Sequence, residues 1–485
     1  MFHLDWLNNR FLIAAIAILH VFINHALAVG FIPYIVWLEQ RGVLRSGKTQ
    51  IVDPEWDNLI YKKMKVAFII TTTIGAMTGV GIWFSAALVS PSSIGSLIRV
   101  FYWGWFIEWI VFVTEVVLIL IYFLTWKQSN RSLKAKARHI NFGWFLSIFS
   151  WITMAIIVAI LGFMMDPGNW NTDKSFLSGF LNPIYLPQLM FRTPAAMMLG
   201  GLVGMLLTSI FTQKDTEIRK TGIRLAGYWT IAWTPLAIMG ALFYWDVMPQ
   251  AMKDNMSTAV GTMEFAQYYE LLKYFIVGAA LLSSVLALWA IVKPKHIRFA
   301  YILVPCLFAF GFLGLFERVR EFIRKPYIIG NYMYSNLMRP EDYALYKKDG
   351  ILKHATYTPV IEVTEDNKLL AGETVFVLTC SRCHTTQGIN AITTVFEKMY
   401  GIGKPLDEAA MAAYIPSMHK GRTYMPPFAG NKAELNALVA YIKHLQYSGE
   451  SLVGAQAGGV AINPLNSTLQ VTLQAPTTST AQVQQ

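Results

Sequence analysis

Eight long apolar stretches constrain this chain more than any other feature. They lie at about 11–38, 66–90, 98–126, 140–165, 184–212, 225–247, 267–292 and 299–317. Each is long enough to cross roughly 30 Å of hydrocarbon as a helix. Inside lipid every backbone polar group needs an internal partner, which leaves helices or closed barrels. Runs of this length select helices. The predicted fold class is therefore all-α, a polytopic membrane bundle of about eight transmembrane helices. Trp37, Trp103, Trp126 and Trp245 fall near span ends, where aromatic rings favour the lipid–water boundary. The first span lacks a small-residue cleavage site and reads as a retained helix.

The loops alternate in charge. Arg41, Arg45, Lys48, Lys62, Lys63 and Lys65 follow span 1, and Lys127, Arg131, Lys134, Lys136 and Arg138 follow span 3. Lys214, Arg219, Lys220 and Arg224 follow span 5, and Lys293, Lys295 and Arg298 follow span 7. The opposite side holds only Arg10, Arg99, Lys174 and Lys253. Basic loops stay in the cytoplasm, so both termini are expected on the outer, periplasmic side of a bacterial inner membrane. The net charge of +11 is then a topology signal, and no nucleic-acid partner is expected. Arg318, Arg320, Arg324 and Lys325 follow span 8 on the outer side, against this rule. They suit pairing with the carboxylates of a bound group, or form a solvated helix end.

The segment TVFVLTCSRCHTTQG points to a group with such carboxylates, a haem, whose propionates Arg318, Arg320, Arg324 and Lys325 would meet. Cys380, Cys383 and His384 spell C-x-x-C-H, the attachment pattern of one covalent c-type haem. Both thiols would bond the haem and His384 would be its proximal ligand. Met425, in GRTYMPPFAG, is the expected sixth ligand, because a thioether suits an electron carrier. His419 and His444 compete for that position, but the Pro pair after Met425 fixes an extended loop around it. A zinc site would want more Cys or His ligands. The closing amphipathic segment, NKAELNALVAYIKHLQ, should pack on the helix before the motif, with Tyr441 near Gly372 and Phe376. The pattern resembles class I cytochromes c. Expected boundaries are a membrane domain at 1–330, a polar connector at 331–365, a monohaem cytochrome c domain at 366–447 and a disordered tail at 448–485. Residues 366–447 carry eight Lys/Arg against six Asp/Glu, which predicts no strongly charged docking partner. The third cysteine, Cys306, lies in an apolar run and reads as inert filler.

Ionisable residues inside lipid are costly and usually functional. His20 and His25 lie in the outer half of span 1. Five residues apart on a helix, they point about 140° away from each other. One is placed to hold a haem while the other bonds a neighbouring helix; both could instead be interhelical hydrogen-bond residues. Glu108 and Glu115, seven apart on span 3, share one side and predict a proton path, or a ligand with a relay. Arg192 and Lys273 stand at the outer ends of spans 5 and 7, placed to clamp propionates or to snorkel to the surface. Gly75, Thr78 and Gly79 in span 2 allow close approach of a helix or a flat ring.

In order and spacing these features resemble subunit I of the cytochrome bd quinol oxidases over about residues 8–330. The residues that carry the resemblance are Arg10 before His20, Gly30 and Glu39, the Ser46–Lys48 loop, and the Gly75-Ala-Met-Thr78-Gly79 run. Glu108 and Glu115 before Trp126, Asn182-Pro183, and Glu321, Arg324, Pro326 and Tyr327 complete it. The resemblance implies that His20 is an axial ligand at a high-spin membrane haem pair, with Glu108 and Glu115 beside it as ligand and proton-path residues. It implies one or more non-covalent haems of b or d type, further membrane subunits, and quinol as a candidate partner. The chain also departs from that family. Arg192 or Phe191 and Tyr274 or Phe275 stand where a low-spin haem has its ligands. The outer loop after span 6 is short, and Glu317 is out of register with a haem-ligand Glu. A haem c domain stands where the family has a ninth span. The sequence therefore points to a membrane haem oxidoreductase subunit. It would pass electrons between an outer-face haem c and membrane haem, towards oxygen. The alternative is a membrane-anchored cytochrome c without oxygen chemistry, linking a quinol pool or a periplasmic redox enzyme to a partner.

Overall fold

A computed structural model of the chain describes residues 9–45, 52–261, 269–356, 358–388 and 390–448, without the side chains of 9–11, 44–45, 257–261, 269–273 and 448. The expected disordered tail, the Ser46–Lys48 loop and the side chains of Arg10 and Lys273 lie outside the described residues. Among these residues eight helices are long and apolar enough to cross a membrane. They are Leu12–Val43, Pro54–Val89, Tyr102–Leu124, Leu133–Met165, Tyr185–Phe211, Glu217–Val247, Tyr274–Val292 and Phe299–Ile323, called spans 1 to 8 here. The all-α membrane bundle expected from the sequence is present.

Three spans begin earlier than hydropathy alone indicates, and their caps explain why; at span 6 the Thr216 hydroxyl accepts from Arg219 N–H. Asp53 accepts hydrogen bonds from the backbone N–H groups of Glu55 and Trp56, and Pro54 opens the helix. Ser132 accepts from Ala135 N–H at 3.1 Å. Each cap satisfies backbone donors that a helix start leaves unpaired. Lys62, Lys63 and Lys65, and Lys134, Lys136 and Arg138, therefore ride on helices rather than in loops.

Spans 4 and 5 form the centre of the bundle: 61 % of each apolar window is buried, against 11 % for span 2. Spans 1 and 5 cross with their backbones in contact at Gly30 and Gly200, where a Cβ on either residue would overlap the other helix. Such close approach of small residues is a main source of helix packing in lipid. Spans 1 and 2 each contain a widened π-helical turn, at Asn24–Val29 and Thr71–Gly75. The first presents His25 and the second lies against His20.

The C-terminal unit has four helices, α1 (Lys368–Thr379), α2 (Ile392–Tyr400), α3 (Glu408–Gly421) and α4 (Lys432–Ser448). Helices α1 and α4 cross at Gly372, whose missing Cβ lets the Ala437 carbonyl approach. Phe376 and Tyr441 rings lie 5.9 Å apart at the same crossing, and Tyr441 donates to Glu373 at 3.2 Å.

The segment expected as a polar connector is packed rather than loose. It starts with a hairpin of β1 (Tyr327–Ile329) and β2 (Met333–Tyr334), seated on the end of span 4 through Gly330 N–H to Met164 O. Met338, Ile351 and Leu352 are buried in the core of the C-terminal unit. The buried Glu434 carboxylate accepts from the N–H groups of Ile351, Leu352 and Asn431, at 2.8–3.1 Å. Tyr343 donates to Pro427 O and accepts from Asn336.

Candidate functional site

The end of α1 delivers the C-x-x-C-H residues by local hydrogen bonding. Cys380 N–H continues the helix to Phe376 O, and Cys383 and His384 N–H groups both turn back to Cys380 O. Asn390, at φ +60°, closes the loop by donating its side-chain amide to Cys383 O at 2.6 Å. The same residue offers its carbonyl to His384 Nδ1 at 3.3 Å. A proton on Nδ1 would leave Nε2 as the lone-pair donor of the ring, as a haem ligand requires.

Cys380, Cys383, His384 and Met425 line one cavity of about 520 Å³. Its other walls include Ile392, Phe396, Ile415, Phe428, Leu438 and Ile442, apolar side chains from all of α2, α3, α4 and the Met425 loop. This volume and lining lie within the range of cofactor pockets. Desolvation inside the domain pushes the Cys380 thiol up to about 11. The donor set, two thiols, an oriented imidazole and a thioether in one cavity, fits a covalent haem.

His419 and His444 do not line the cavity. His419 Nδ1 instead bonds the Met425 carbonyl at 2.5 Å, so it braces the loop that carries the thioether. Arg324 is also outside the lining; its guanidinium donates to Ile328 O at 3.0 Å. The neighbouring Lys325 is in the wall, together with Phe322, Ser335 and Asn336. These four belong to the end of span 8 and the hairpin segment, so the cavity is closed by both halves of the chain. Phe322 faces Tyr424 with ring centroids 5.9 Å apart.

Inside the bundle His20 and His25 differ in kind. His20 Nδ1 lies 3.2 Å from Gly75 O and 3.1 Å from Thr78 Oγ1. Gly79 leaves the room its ring occupies. The flat ring that the Gly75-x-x-Thr78-Gly79 run admits is thus the imidazole of His20. Its Nδ1 is held by Gly75 and Thr78. His25 has both nitrogens engaged, Nδ1 with Val21 O and Nε2 with Arg192 at 3.3 Å. Arg192 does not snorkel. It is 2 % exposed and pairs with Glu317 at 2.7 Å, whose other oxygen pairs with Arg320 at 2.8 Å. Spans 1, 5 and 8 are thereby tied by one buried polar chain.

On span 3 Glu115 accepts from Ser150 at 2.6 Å and Thr153 at 3.2 Å, both on span 4. Glu108 is half-buried two turns away on the same helix. Five residues near the inner ends of the spans escaped the sequence reading as a group. Glu39 accepts from Tyr122 at 2.7 Å and His139 at 2.8 Å, and it pairs with Lys136, which also reaches Asp57 at 3.0 Å. Trp126, expected at the lipid boundary, is 1 % exposed and donates to Asp57 instead. The signal that could have found this cluster is the period of Asp57, Lys136 and His139 on capped helices, which turns them inward.

Residues 367–442 match the family described as Cytochrome C oxidase, cbb3-type, subunit III. The structure is similar to that of a bd oxidase from Geobacillus thermodenitrificans, with a TM-score of 0.48 and 14% identity, over 67% of this chain and 88% of that chain. No curated protein matches the chain. The chain is a membrane protein with a C-terminal cytochrome c domain, which implies covalent haem c and electron transfer.

Proposed function

We propose that the chain is the haem-bearing subunit of a membrane oxidoreductase. Electrons pass between haem c at Cys380, Cys383 and His384, on the outer face, and membrane haem bound by His20. The observation that supports this reading is the shared wall of the haem c cavity, which Phe322 and Lys325 from the end of span 8 line together with the C-x-x-C-H loop. An electron at that site is already against the membrane domain. Haem, when bound, supplies a reversible one-electron couple. His20 would ligate through Nε2 while Gly75 and Thr78 hold Nδ1. Oxygen is the terminal acceptor in this reading. Its reduction to water consumes one proton per electron, and Glu115 and Glu108 lie along span 3 to carry them. The excess of basic residues at one side of the bundle supports a haem c domain outside a bacterial inner membrane. Lys273 is the remaining candidate propionate partner for membrane haem.

A second reading has its own support. The resemblance to cytochrome bd subunit I implies a haem ligand near position 191 or 192. Arg192 is instead consumed by Glu317 and His25. A bundle with fewer haems, anchoring haem c without oxygen chemistry, fits that arrangement. Optical spectra of the purified protein, oxidised, reduced and reduced with carbon monoxide, separate the two. Non-covalent haem that binds carbon monoxide and disappears in His20→Ala supports the oxidase. One covalent low-spin haem and nothing more supports the anchor.

A further inference from the structure

The polar cluster at the inner ends of spans 1 to 4 holds one proton more than a neutral histidine accounts for. His139 is 3 % exposed, and both of its ring nitrogens face acceptors. Nε2 lies 2.7 Å from the Tyr122 carbonyl, which can only accept, so Nε2 carries a proton. Nδ1 lies 2.8 Å from Glu39 Oε1. A bare Nδ1 would set its lone pair against a lone pair of the carboxylate. A second proton therefore occupies the His139–Glu39 bond. Tyr122 and Lys136 also aim donors at Glu39, so the carboxylate is the acceptor of all three bonds and the proton rests on His139. The His139 ring stacks on the Tyr122 ring at 4.4 Å, a face that suits a cation.

This pair stands at the foot of a polar seam. On span 4, His139, Gly143, Ser147, Ser150 and Thr153 recur at intervals of three and four, which is one stripe of a helix. Ser147, Ser150 and Thr153 are buried. On span 3, Glu108, Glu115 and Tyr122 recur every seven residues. Tyr122 packs on Gly143, and Glu115 accepts from Ser150 and Thr153. Tyr122 and Glu115 are about 10 Å apart along the helix axis. Lys136 joins Glu39 to Asp57, whose side chain is 12 % exposed against 1 % for Glu39.

We propose that the His139–Glu39 pair is the proton store of this seam. A proton leaves Nδ1 of His139, passes the Tyr122 hydroxyl and bridging water, and reaches a Glu115 oxygen. A proton entering at Asp57, on the side of the basic loops, restores the pair. The destination rests on the oxygen-reducing reading; the stored proton does not.

The test has two readouts on the full-length protein in lipid. Nitrogen NMR of histidine-labelled protein reads the stored proton. The ring resonances assigned to His139 should belong to an imidazole with both nitrogens protonated. One bare nitrogen overturns the proposal. Oxygen uptake driven through haem c reads delivery. His139→Gln and Tyr122→Phe should each slow uptake by roughly a hundredfold and raise the solvent deuterium isotope effect, as a lost proton-transfer group does. A packing defect would slow uptake without raising that effect. Tyr122→Phe keeps the ring stack, so it decides the matter if His139→Gln does not fold. Lys134→Met, exposed on the same helix, should match the parent. If Glu115→Gln is slow while His139→Gln and Tyr122→Phe keep the parent rate and isotope effect, the proposal is overturned. A parent without oxygen uptake ends the oxidase reading and the delivery with it, while the His139 resonance still reads the stored proton, so the two failures are distinct.

Discussion

His20 and Gly79 meet across spans 1 and 2 so closely that a Cβ on Gly79 would stand 3.2 Å from His20 Cε1. That spacing is tighter than ordinary van der Waals contact, so a larger residue must move the ring. Moving it breaks the Nδ1 contacts to Gly75 and Thr78 that fix its direction. Gly79→Val is expected to lower the ratio of extractable to covalent haem, with covalent haem unchanged. An unaltered ratio would remove His20 as a membrane haem ligand.

Met425 and His419 separate by role. Replacing Met425 with Ala removes the thioether from the haem c cavity, so the spectrum should lose its low-spin character and the potential should fall. His419→Ala removes only the brace on the Met425 carbonyl. Its spectrum should remain low-spin. The reverse pattern would make His419 the ligand.

Lys136 sits between Glu39 and Asp57 with no exposed surface. Breaking a buried ion pair from one side strands the remaining charge, at a cost of about 3–5 kcal/mol. Lys136→Met should therefore melt well below the parent in detergent, as followed by loss of helical signal on heating. Covalent haem c, which is attached outside this cluster, should stay. An unchanged melting temperature would mean that Glu39 and Asp57 are satisfied without the amine.

Glu115→Gln keeps the shape of Glu115 and one accepting oxygen but cannot carry a proton. In the oxidase reading, oxygen uptake driven through haem c should drop by roughly a hundredfold, the scale of a lost proton-transfer group. Haem content should be unaffected. Unchanged uptake would exclude Glu115 from the proton route.

The spans and the haem c motif were legible in the sequence because each is a local pattern. Hydropathy fixes the spans, and C-x-x-C-H needs only five consecutive residues. What the sequence hid depends on direction and distance. Lys62 and Lys63 are adjacent, yet Lys62 is exposed and Lys63 is fully buried over the Tyr34 ring. A charge count assigns both to a loop. A capped helix turns one of them inward. The Glu39–His139 pair joins residues 100 apart, and Glu434 reaches back 83 to Ile351. No period in the sequence reports such contacts. The Gly75-x-x-Thr78-Gly79 notch lies between. The space was readable, but its occupant, His20, required the packing of spans 1 and 2.

The Glu434 latch has a consequence for kinetics. With Ile351 and Leu352 bound to its carboxylate, the chain between span 8 and the cytochrome domain has no slack to pay out. A domain on a free linker would reach its acceptor by a search whose rate follows linker length. Here the search is already complete. In the oxidase reading, electron exchange between the two halves then proceeds without a docking step, and only the step that brings electrons from outside retains the behaviour of an encounter between molecules.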